Sequence, residues 1–409
     1  MSDSPPLPTA DSPSAPAWAH DLEDGALRRE MGLGAKPSDA QPLPLAHTQR
    51  LVFHGTGAEY FRIWAVNVFL TLITLGVYSA WAKVRKARWF AQNTSLDGDR
   101  FDFHGDAKRI LLGRVLAVGL LLMWSFAFDF SPAAGLVVLA IFCIVGPLLF
   151  ASAQRFRLAN TSWRGLRFGF DVPRRKVYAV CVPLLLLWTA GTVVEALGFD
   201  GAWLAVAGVT TVLGLPWAHA RLKQLQHHHA HFGDRTFNFM AAGPEFYGLY
   251  AKAIALVVVI GALLVVVMVV LAAAGLDTGV TSYSKNPIWA LVISGMIGAV
   301  MWAMVWPYFA ARMQQIVWSH TRLGKVRFDG HMKGWPLWRL VITQSLLTVL
   351  TLGVYWPFAV VAVARFRVQA ISVESPVPLS LDVGRVPQQR GDRAAGDAAA
   401  DFFGLDVGW

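Results

Sequence analysis

The feature that most constrains this chain is an uncharged apolar run at residues 254–274, which reads IALVVVIGALLVVVMVVLAAA. A helix rises about 1.5 Å per residue, so this run covers the roughly 30 Å of a bilayer's hydrocarbon core. The composition agrees, because 55% of the residues are hydrophobic and only 15% are charged. Soluble domains average about 25% charged residues. The sequence therefore predicts an all-α polytopic membrane protein.

Six apolar segments form three pairs, which predict three transmembrane hairpins. The first two pairs are joined by the short segments DFSP and GFDG, and the third by a longer polar segment. Two further apolar segments stand alone near the ends of the chain. The predicted spans are 110–128 with 133–150, 177–197 with 203–218, and 249–276 with 288–309, and the lone segments are 61–82 and 337–364.

The loops carry a strongly asymmetric charge. The four loops at 83–109, 151–176, 219–248 and 310–336 contain 22 Lys and Arg residues, whereas the joins on the other side contain only Lys285. Basic loops stay in the cytoplasm, so this pattern predicts a multi-pass protein of a bacterial inner (plasma) membrane with these loops cytoplasmic. It also accounts for the net charge of +10. We expect membrane lipids as partners and no nucleic acid.

Three domains are predicted. Residues 1–48 are rich in Pro, Ala, Ser and Asp, a composition that cannot bury enough apolar surface to fold, so we expect a disordered tail. Residues 49–371 form the membrane domain with internal repeats. Residues 372–409 are expected to be a flexible polar tail.

Every basic loop follows one pattern, in which a Phe motif begins 21 residues after a Pro or Ala. The pairs are Ala80/Phe101, Pro147/Phe168, Pro216/Phe237 and Pro307/Phe328, with motifs RFDF, RFGF, TFNF and RFDG. The segment LVFHG at 51–55 resembles FDFHG at 101–105 and is a candidate fifth copy. Such alternation suits short cytoplasmic Phe-x-Phe strands, which could pair or lie at the interface. Alternatively, the aromatic residues anchor each return to the bilayer.

The two lone segments are related to each other at an offset of 277 residues. ITLGVY at 73–78 matches LTLGVY at 350–355, and identities continue on both sides. If both segments span the membrane, their shared flanks lie on opposite sides of it. If each bends at its glycine, Gly76 or Gly353, as a re-entrant hairpin, all flanks stay cytoplasmic, provided that the bend packs inside protein. We favour the bent arrangement.

A polar helix face recurs in both lone segments. It comprises Asn67, Thr71, Thr74 and Tyr78 in the first and Gln344, Thr348, Thr351 and Tyr355 in the second. Polar groups inside a bilayer avoid lipid, so this face could line a path shared by two related helices. Alternatively, it holds neighbouring helices together. Arg62 and Arg339, near the start of each segment, are candidates for binding lipid phosphate.

The remaining polar motifs predict no catalytic chemistry. The histidines at 227–229 and 231 could share a metal ion, but no Cys or paired carboxylate completes a site, so we interpret the run as a loop variation and predict no metal. His54, His104 and His331 are stronger candidates for a shared role, because they recur beside glycines, but we favour local backbone hydrogen bonding as their explanation. Neither a nucleotide loop nor a catalytic triad order is found. We therefore predict no enzyme activity and no cofactor.

Several motifs in order resemble the YjgN-type family of bacterial inner-membrane proteins. They are FHGTGAEYFRIWAVN, ITLGVYSAWAKVRKARWFAQNT and the following RFDFHG, and the resemblance covers about residues 50–370. It implies a multi-pass inner-membrane protein. That family has no established biochemical function, so the resemblance supplies no catalytic residues.

Two functions remain open. The first is a transporter or channel for a small solute or lipid, with the TLGVY segments lining the path. The alternative is a non-transporting membrane scaffold or lipid-binding protein with a basic cytoplasmic face. A cavity bounded by Asn67 and Gln344 favours the first, and a solidly packed interior favours the second. The sequence names no substrate and no oligomeric state.

Overall fold

The computed structural model describes residues 47–240, 242–274 and 287–376. In this part of the chain the helices are α1 Gly57–Ile73, α2 Ser79–Gln92, α3 Ala107–Phe130, α4 Pro132–Ala159, α5 Arg174–Ala196, α6 Gly201–His228, α7 Gly243–Ala273, α8 Pro287–Ser319, α9 Gly334–Leu350 and α10 Trp356–Gln369. The strands are β1 His47–Arg50, β2 Val52–Phe53, β3 Thr94–Leu96, β4 Asp99–Phe103, β5 Thr161–Trp163, β6 Leu166–Phe170, β7 Ala230–Phe232, β8 Arg235–Phe239, β9 Thr321–Leu323, β10 Val326–Gly330 and β11 Ile371–Ser375. The predicted tails lie almost wholly outside the described residues.

The helices form five hairpins: α1–α2, α3–α4, α5–α6, α7–α8 and α9–α10. The first helix of each hairpin begins at an equivalent place, with three residues between it and the strand that precedes it. The three middle hairpins are those predicted from the paired apolar segments. Among the described residues, five helices, α3 to α7, are long and apolar enough to cross a membrane. This confirms a mostly helical protein with five candidate spans, whereas α8, which contains the sixth predicted span 288–309, is not among the five.

The all-α prediction is nevertheless incomplete, because the strands form an eleven-stranded antiparallel sheet. Its order in the described residues is β1-β11-β10-β9-β8-β7-β6-β5-β4-β3-β2. Each three-residue strand after a second helix turns back onto a Phe-x-Phe strand through two residues, as at Asp97–Gly98, where both residues have positive φ. Asp-Gly suits this turn type, whose twist matches that of the flanking strands.

The sheet closes on itself. Its two outermost strands, β1 and β2, are separated along the chain by Leu51 alone. β1 pairs with β11 and β2 pairs with β3, and the Leu51 amide donates to the Ile371 carbonyl at 3.3 Å. A closed barrel leaves no open strand edges. The first and last strands of the described chain therefore complete one ring.

One backbone hydrogen bond recurs five times and defines five equivalent repeats. In each repeat, the amide of the residue after a Phe-x-Phe strand, or after the equivalent strand, donates to the carbonyl of the residue that directly follows a second helix. The pairs are His54 to Asn93, His104 to Asn160, Asp171 to His229, Met240 to His320 and His331 to Ala370, at 2.8–3.0 Å. The fifth repeat is thus assembled from both ends of the chain, and 51–55 belongs to the same series as the other motifs.

The Phe-x-Phe motifs fill the barrel and attach the helices to it. The first aromatic of each motif lies in the barrel core beside Leu96, Trp163, Phe232, Leu323, Val326 and Val373. Phe101, Phe168, Phe237 and Phe328 contact one another in sequence at 5.9–6.4 Å between ring centroids, and Leu51 takes the fifth place. The second aromatic, as at Phe103 and Phe170, packs against helix bases. Paired strands, rather than a membrane-anchoring aromatic belt, therefore explain the motif.

The helices form a second ring above the barrel. Each helix packs against the next along the chain, and α10 packs against α1. The α1–α10 interface includes Phe61 and Phe358, whose ring centroids are 5.8 Å apart. The two lone segments of the sequence are thus neighbouring hairpins in the ring.

These two hairpins are shorter than the others. α1 and α9 have 17 residues and α2 and α10 have 14, or about 25 Å and 21 Å at 1.5 Å per residue. α3 and α4 have 24 and 28 residues, or about 36 Å and 42 Å. The chain bends at both predicted places, since it reverses at 74–78 and 351–355 and both flanks return to the barrel. The tips of these bends do not pack inside protein as predicted, because Leu75 and Leu352 are each 94% exposed. The ring is therefore lower on this side, and we call the gap above α1–α2 and α9–α10 the half-depth notch.

Candidate functional site

The two reversals at the floor of the half-depth notch have the same geometry. Leu75 and Leu352 have φ 49°, and Gly76 and Gly353 have φ 92° and 90°. The Gly76 amide donates to the Thr71 carbonyl at 2.8 Å, and the Leu75 amide donates to that of Leu72 at 3.2 Å. These bonds form a Schellman motif, which satisfies the last carbonyls of α1 without water. The predicted bend positions thus lie inside a closed turn.

Threonines from the predicted polar face stabilise these turns. The Thr74 hydroxyl donates to the Leu70 carbonyl at 2.8 Å and accepts from the Tyr78 amide at 2.9 Å. Thr351 makes the same two bonds, to Leu347 and from Tyr355, at 2.8 Å and 3.0 Å. The Thr348 hydroxyl is bonded to the Gln344 carbonyl in its own helix at 2.8 Å. Three of the six hydroxyl groups on this face, those of Thr74, Thr348 and Thr351, are therefore engaged locally.

The amides of this face differ from the threonines. Asn67 is 7% exposed, and the side-chain oxygens of both Asn67 and Gln344 are buried without a hydrogen-bond partner among the described residues. An unsatisfied buried oxygen costs about 1–3 kcal/mol. However, α10 lies between α1 and α9 in the helix ring. The two helices that carry the polar faces therefore lie on either side of α10.

Arg62 and Arg339 lie on the outer side of the short hairpins. Both are exposed, as are apolar residues that follow at helical spacing. On α1 the stripe continues through Val66, Phe69 and Ile73, and on α9 through Leu346 and Leu350. Further exposed cations surround the starts of the longer helices. We call this set the basic belt: Arg62, Lys108, Arg109, Arg174, Arg175, Lys176, Lys333 and Arg339.

The recurrent histidines link neighbouring strands of the barrel. His54 Nε2 lies 2.8 Å from Ser95 Oγ and His104 Nε2 lies 2.9 Å from Ser162 Oγ. His331 Nδ1 is 3.4 Å from Ser372 Oγ. The main-chain amides of the same three histidines donate to Asn93, Asn160 and Ala370, which are distant in the sequence, so these are not the local bonds that were predicted. The three serines are buried, so the arrangement joins strands and does not present a nucleophile to a substrate.

The histidine run is divided between different environments. His227 is enclosed by Phe239 and Trp318, His228 is exposed at the end of α6, and His231 lies on β7 near Asp171. His229 Nδ1 is 3.2 Å from the Leu225 carbonyl. Within the described ranges, no group of three or more His, Cys, Asp or Glu side chains is placed to hold a metal ion.

A cavity of about 40 Å³ lies where the helix ring meets the barrel, and we call it the junction cavity. It is lined by Gln154, Arg157, Leu158, Phe168, Lys223, Gln226, His227, Ala230, Phe237 and Trp318. Lys223 is 5% exposed and Gln154 is 7% exposed. The sequence analysis did not identify this cavity, although an alignment of the repeats shows polar or basic residues at two equivalent positions in several of them. Six positions before the residue that directly follows each second helix, the chain has Ala87, Gln154, Lys223, Gln314 and Ala364. Three positions before it, the chain has Phe90, Arg157, Gln226, Val317 and Arg367.

Long apolar helices above a filled barrel define a multi-pass membrane protein. Residues 48–402 match the model of a family described as bacterial proteins of unknown function, DUF898. The chain belongs to this family.

Similar curated proteins carry the name inner membrane protein YjgN, which confirms the predicted resemblance. The protein from Escherichia coli O157:H7 is 32% identical over 146 residues, which cover 35% of this chain and 36% of that protein. The protein from Salmonella typhimurium is 27% identical over 210 residues, which cover 47% of this chain and 52% of the relative. The chain thus matches between about a third and about half of the length of these relatives. No solved structure matches.

Proposed function

We propose that the protein is a non-catalytic, non-transporting lipid-binding protein of the bacterial inner membrane, with its barrel in the cytoplasm. In this proposal, a phospholipid lies along each short hairpin, its phosphate on Arg62 or Arg339 and an acyl chain on the apolar stripe beyond. The single observation that carries the proposal is this arginine-headed stripe, which recurs on two hairpins.

The length of the stripe fits one leaflet. Arg62 and Ile73 are eleven residues apart on α1, a distance of about 16 Å along the helix axis. Half of a hydrocarbon core is about 15 Å. An arginine at the headgroup level therefore puts the turn near the bilayer midplane, whereas α3 continues to Phe130. The half-depth notch then lies in the opposite leaflet.

The exposure of the turns supports the same placement. Leu75 and Leu352 at the two tips are each 94% exposed. An exposed leucine at a loop tip loses its contact with water only if lipid or protein covers it, which stabilises it by about 1.5–3 kcal/mol. Apolar tips of this kind suit insertion into the acyl region.

The packed barrel favours binding over conduction along the axis. Its core contains large side chains from every repeat, including Phe168, Trp163 and Phe232. A solute on the axis would have to displace them. Together with the exposed basic belt, this packing fits the lipid-binding alternative better than a central channel.

The test is binding of phosphatidylglycerol to the purified, delipidated full chain, counted by native mass spectrometry and titrated with a fluorescent analogue. The variant carrying Arg62→Gln and Arg339→Gln removes both phosphate contacts. We expect affinity to fall about fivefold for each arginine, since a cation near an anionic surface contributes about 1 kcal/mol.

The matched control carries Arg50→Gln and Lys325→Gln, which remove the same charge from exposed positions on the barrel. It should bind lipid like the unmodified protein. Equal lipid binding by the Arg62/Arg339 variant and the unmodified protein contradicts the proposal.

Lipid movement through the half-depth notch is a second candidate, supported by the unpartnered amide oxygens of Asn67 and Gln344. In this version a headgroup crossing the low side of the ring donates hydrogen bonds to these oxygens. The assay is exchange of a fluorescent phospholipid between the leaflets of proteoliposomes. Asn67→Leu should slow exchange if the amides act on a moving headgroup, and absence of any protein-dependent exchange leaves binding as the function.

A further inference from the structure

Two arginine side chains reach the turn of the α1–α2 hairpin, at the floor of the half-depth notch. Arg114, on α3, is partly buried, and its Nη1 donates to the Ser79 hydroxyl, which in turn donates to the Gly76 carbonyl. Arg85, on α2, is exposed, and its Cζ atom lies 5.9 Å from the centroid of the Tyr78 ring. Because Tyr78 and Ser79 are neighbours in the chain, both guanidinium groups lie at the level of the turn.

The surroundings of these arginines supply no negative charge. Among the described residues, the polar partner of Arg114 is the Ser79 hydroxyl, the partner of Arg85 is the Tyr78 ring, and neither arginine forms an ion pair. The sequence has no Asp or Glu from residue 60 to residue 96 or from residue 107 to residue 128. A charged side chain at membrane depth is costly and normally pairs or faces a cavity. An anionic group in the notch therefore offsets the cost of both charges.

The second short hairpin shows that its turn does not require these arginines. The two turns have the same backbone geometry. At the offset of 277 residues, however, Arg85 corresponds to Ala362. The helix that packs on α10 is α1, which has Trp64 where α3 has Arg114, counted from the first residue of each helix. The paired arginines are thus a feature of one side of the half-depth notch, added to a turn that forms without them.

The surface around the two arginines is apolar. On the hairpin, Leu72 and Val77 are 70% and 51% exposed, and on α3, Leu112 and Val115 are 57% and 61% exposed. A free phosphate ion gains nothing from such a surface, whereas the acyl chains of a lipid cover it. Guanidinium groups match phosphate oxygens in pairs. A headgroup with an ammonium group of its own is disfavoured, because two like charges already lie beside the site.

We infer that the floor of the half-depth notch binds the headgroup of one anionic phospholipid per chain, with its phosphate on Arg85 and Arg114. This site is deeper in the membrane than the phosphates on Arg62 and Arg339, and for that depth it rests on the proposed function. It differs from those two sites in its selectivity, since a pair of arginines without a carboxylate distinguishes an anionic headgroup from a zwitterionic one.

The experiment is photocrosslinking of the full chain in vesicles that contain equal amounts of phosphatidylglycerol and phosphatidylethanolamine. Val77→benzoylphenylalanine places the photoreactive group beside the two arginines, and mass spectrometry counts the lipid adducts. Val354→benzoylphenylalanine is the matched control, because Val354 is the equivalent residue of the second hairpin and is 53% exposed. We expect the ratio of phosphatidylglycerol to phosphatidylethanolamine adducts to be about fivefold or more higher at Val77 than at Val354.

Arg85→Gln together with Arg114→Gln should lower the ratio at Val77 to that at Val354. If this double variant does not fold, Arg85→Gln alone, at an exposed position, should still lower the ratio at Val77. Equal ratios at the two positions in the chain that keeps both arginines overturn the inference. Loss of the preference when excess inorganic phosphate is added indicates a site for the free ion and contradicts a lipid site.

The same probes separate this inference from the proposed function. Both hairpins carry the arginine-headed stripe, so Arg62→Gln with Arg339→Gln should change both ratios alike and leave the difference between them. A difference that disappears in that variant contradicts a separate site on Arg85 and Arg114. Equal ratios in the chain with all four arginines overturn the inference alone, because the number of lipids bound through Arg62 and Arg339 is measured independently.

Discussion

Leu75 and Leu352 have a left-handed backbone conformation, which residues other than glycine rarely adopt. Both have φ 49°, and the left-handed conformation costs a residue with a Cβ atom roughly 1–2 kcal/mol. Glycine usually occupies this place after a helix. In both hairpins a leucine occupies this place, and the glycine follows one residue later. A leucine at the tip makes sense if its side chain has a role in lipid.

We therefore expect Leu75→Gly to raise stability in detergent by about 1 kcal/mol while weakening association with bilayers. The stability is measured as the apparent melting temperature, and the association by flotation with liposomes. Gly76→Ala is the control and should lower stability, because φ at Gly76 is 92°,. A Leu75→Gly variant that is less stable in detergent contradicts the strain argument.

His229 makes the fold sensitive to acid. Burial lowers its pKa below the usual 6.5; the bond to the Leu225 carbonyl opposes this shift, and the nearby charges of Lys176 and His228 add to it. The unfolded chain therefore binds a proton at higher pH than the folded one. This contribution to stability is complete above the unfolded pKa and is lost as the pH falls below it.

The substitution His229→Asn should reduce this acid sensitivity while keeping the helix end intact. Asparagine occupies the equivalent positions at Asn93 and Asn160, where its side chain donates to the helix carbonyl at 2.7–2.8 Å. We expect a smaller loss of apparent melting temperature between about pH 7.5 and pH 5.5 than in the unmodified chain. His47→Asn, an exposed site on β1, should leave the loss unchanged.

The sequence locates polar residues well but not their partners. The recurrence of Thr74 and Thr351 identifies an equivalent role, yet only the structure shows that both cap a turn. Lys223 looks like one more basic loop residue in the sequence. It becomes part of a site only when α4, α6 and α8 converge, and that convergence depends on contacts between distant repeats.

At the scale of elements, a ring of aromatic side chains fills the core of the barrel. Phe168 lies 6.4 Å from both Phe101 and Phe237 and 4.6 Å from Phe232, measured between ring centroids. We expect Phe168→Ala to destabilise the protein by about 3–5 kcal/mol, the usual cost of such a deletion in a core. Denaturation followed by circular dichroism measures the loss.

Phe168→Leu should cost much less, because Leu51 occupies the equivalent place in the fifth repeat. Phe199→Ala is the matched control for the deletion. Phe199 lies in the join between α5 and α6 and is half exposed, so its removal leaves the barrel core intact. A small effect of Phe168→Ala indicates that the core is less well packed than the structure shows.

The helices were predictable and the barrel was not, for a physical reason. A helix long enough to cross a bilayer needs about 20 apolar residues, which no other element requires. By contrast, β3, β5, β7 and β9 have three residues each, too few for a pattern of alternation to appear. The best local signal is the two-residue turn, such as Asp97–Gly98, that joins each of them to a Phe-x-Phe strand.

For the whole molecule, the five repeats predict a definite topology: the strand turns on one side, the joins of the long hairpins on the other, and the short hairpins between them. We expect Lys325→Cys to react with a membrane-impermeant maleimide only from the cytoplasm and Asp129→Cys only from outside. Leu75→Cys should react from neither side until detergent is added. Each of these cysteine variants also carries Cys143→Ala and Cys181→Ala, which remove both native thiols.

Labelling of Leu75→Cys from outside contradicts the placement of the turn near the bilayer midplane. Labelling of Lys325→Cys from outside shows that the protein has the opposite orientation in the membrane, since Lys325 lies in a strand turn of the barrel. The paired spans and the charge asymmetry predict this topology from the sequence. The closed order of the repeats around a ring does not follow from them, because it depends on pairing between residues 47–50 and 372–375.

That pairing has a consequence for synthesis. β1 is made first among the strands and β11 last, so β1 must wait for its partner while more than three hundred residues are added. Each new strand can pair with the one before it, but the ring closes only in the final step. Until then both edges expose unpaired backbone groups, which favour association with other chains. A chain that ends before Ile371–Ser375 therefore remains an open sheet, and the loss of one short strand becomes a defect of the whole molecule.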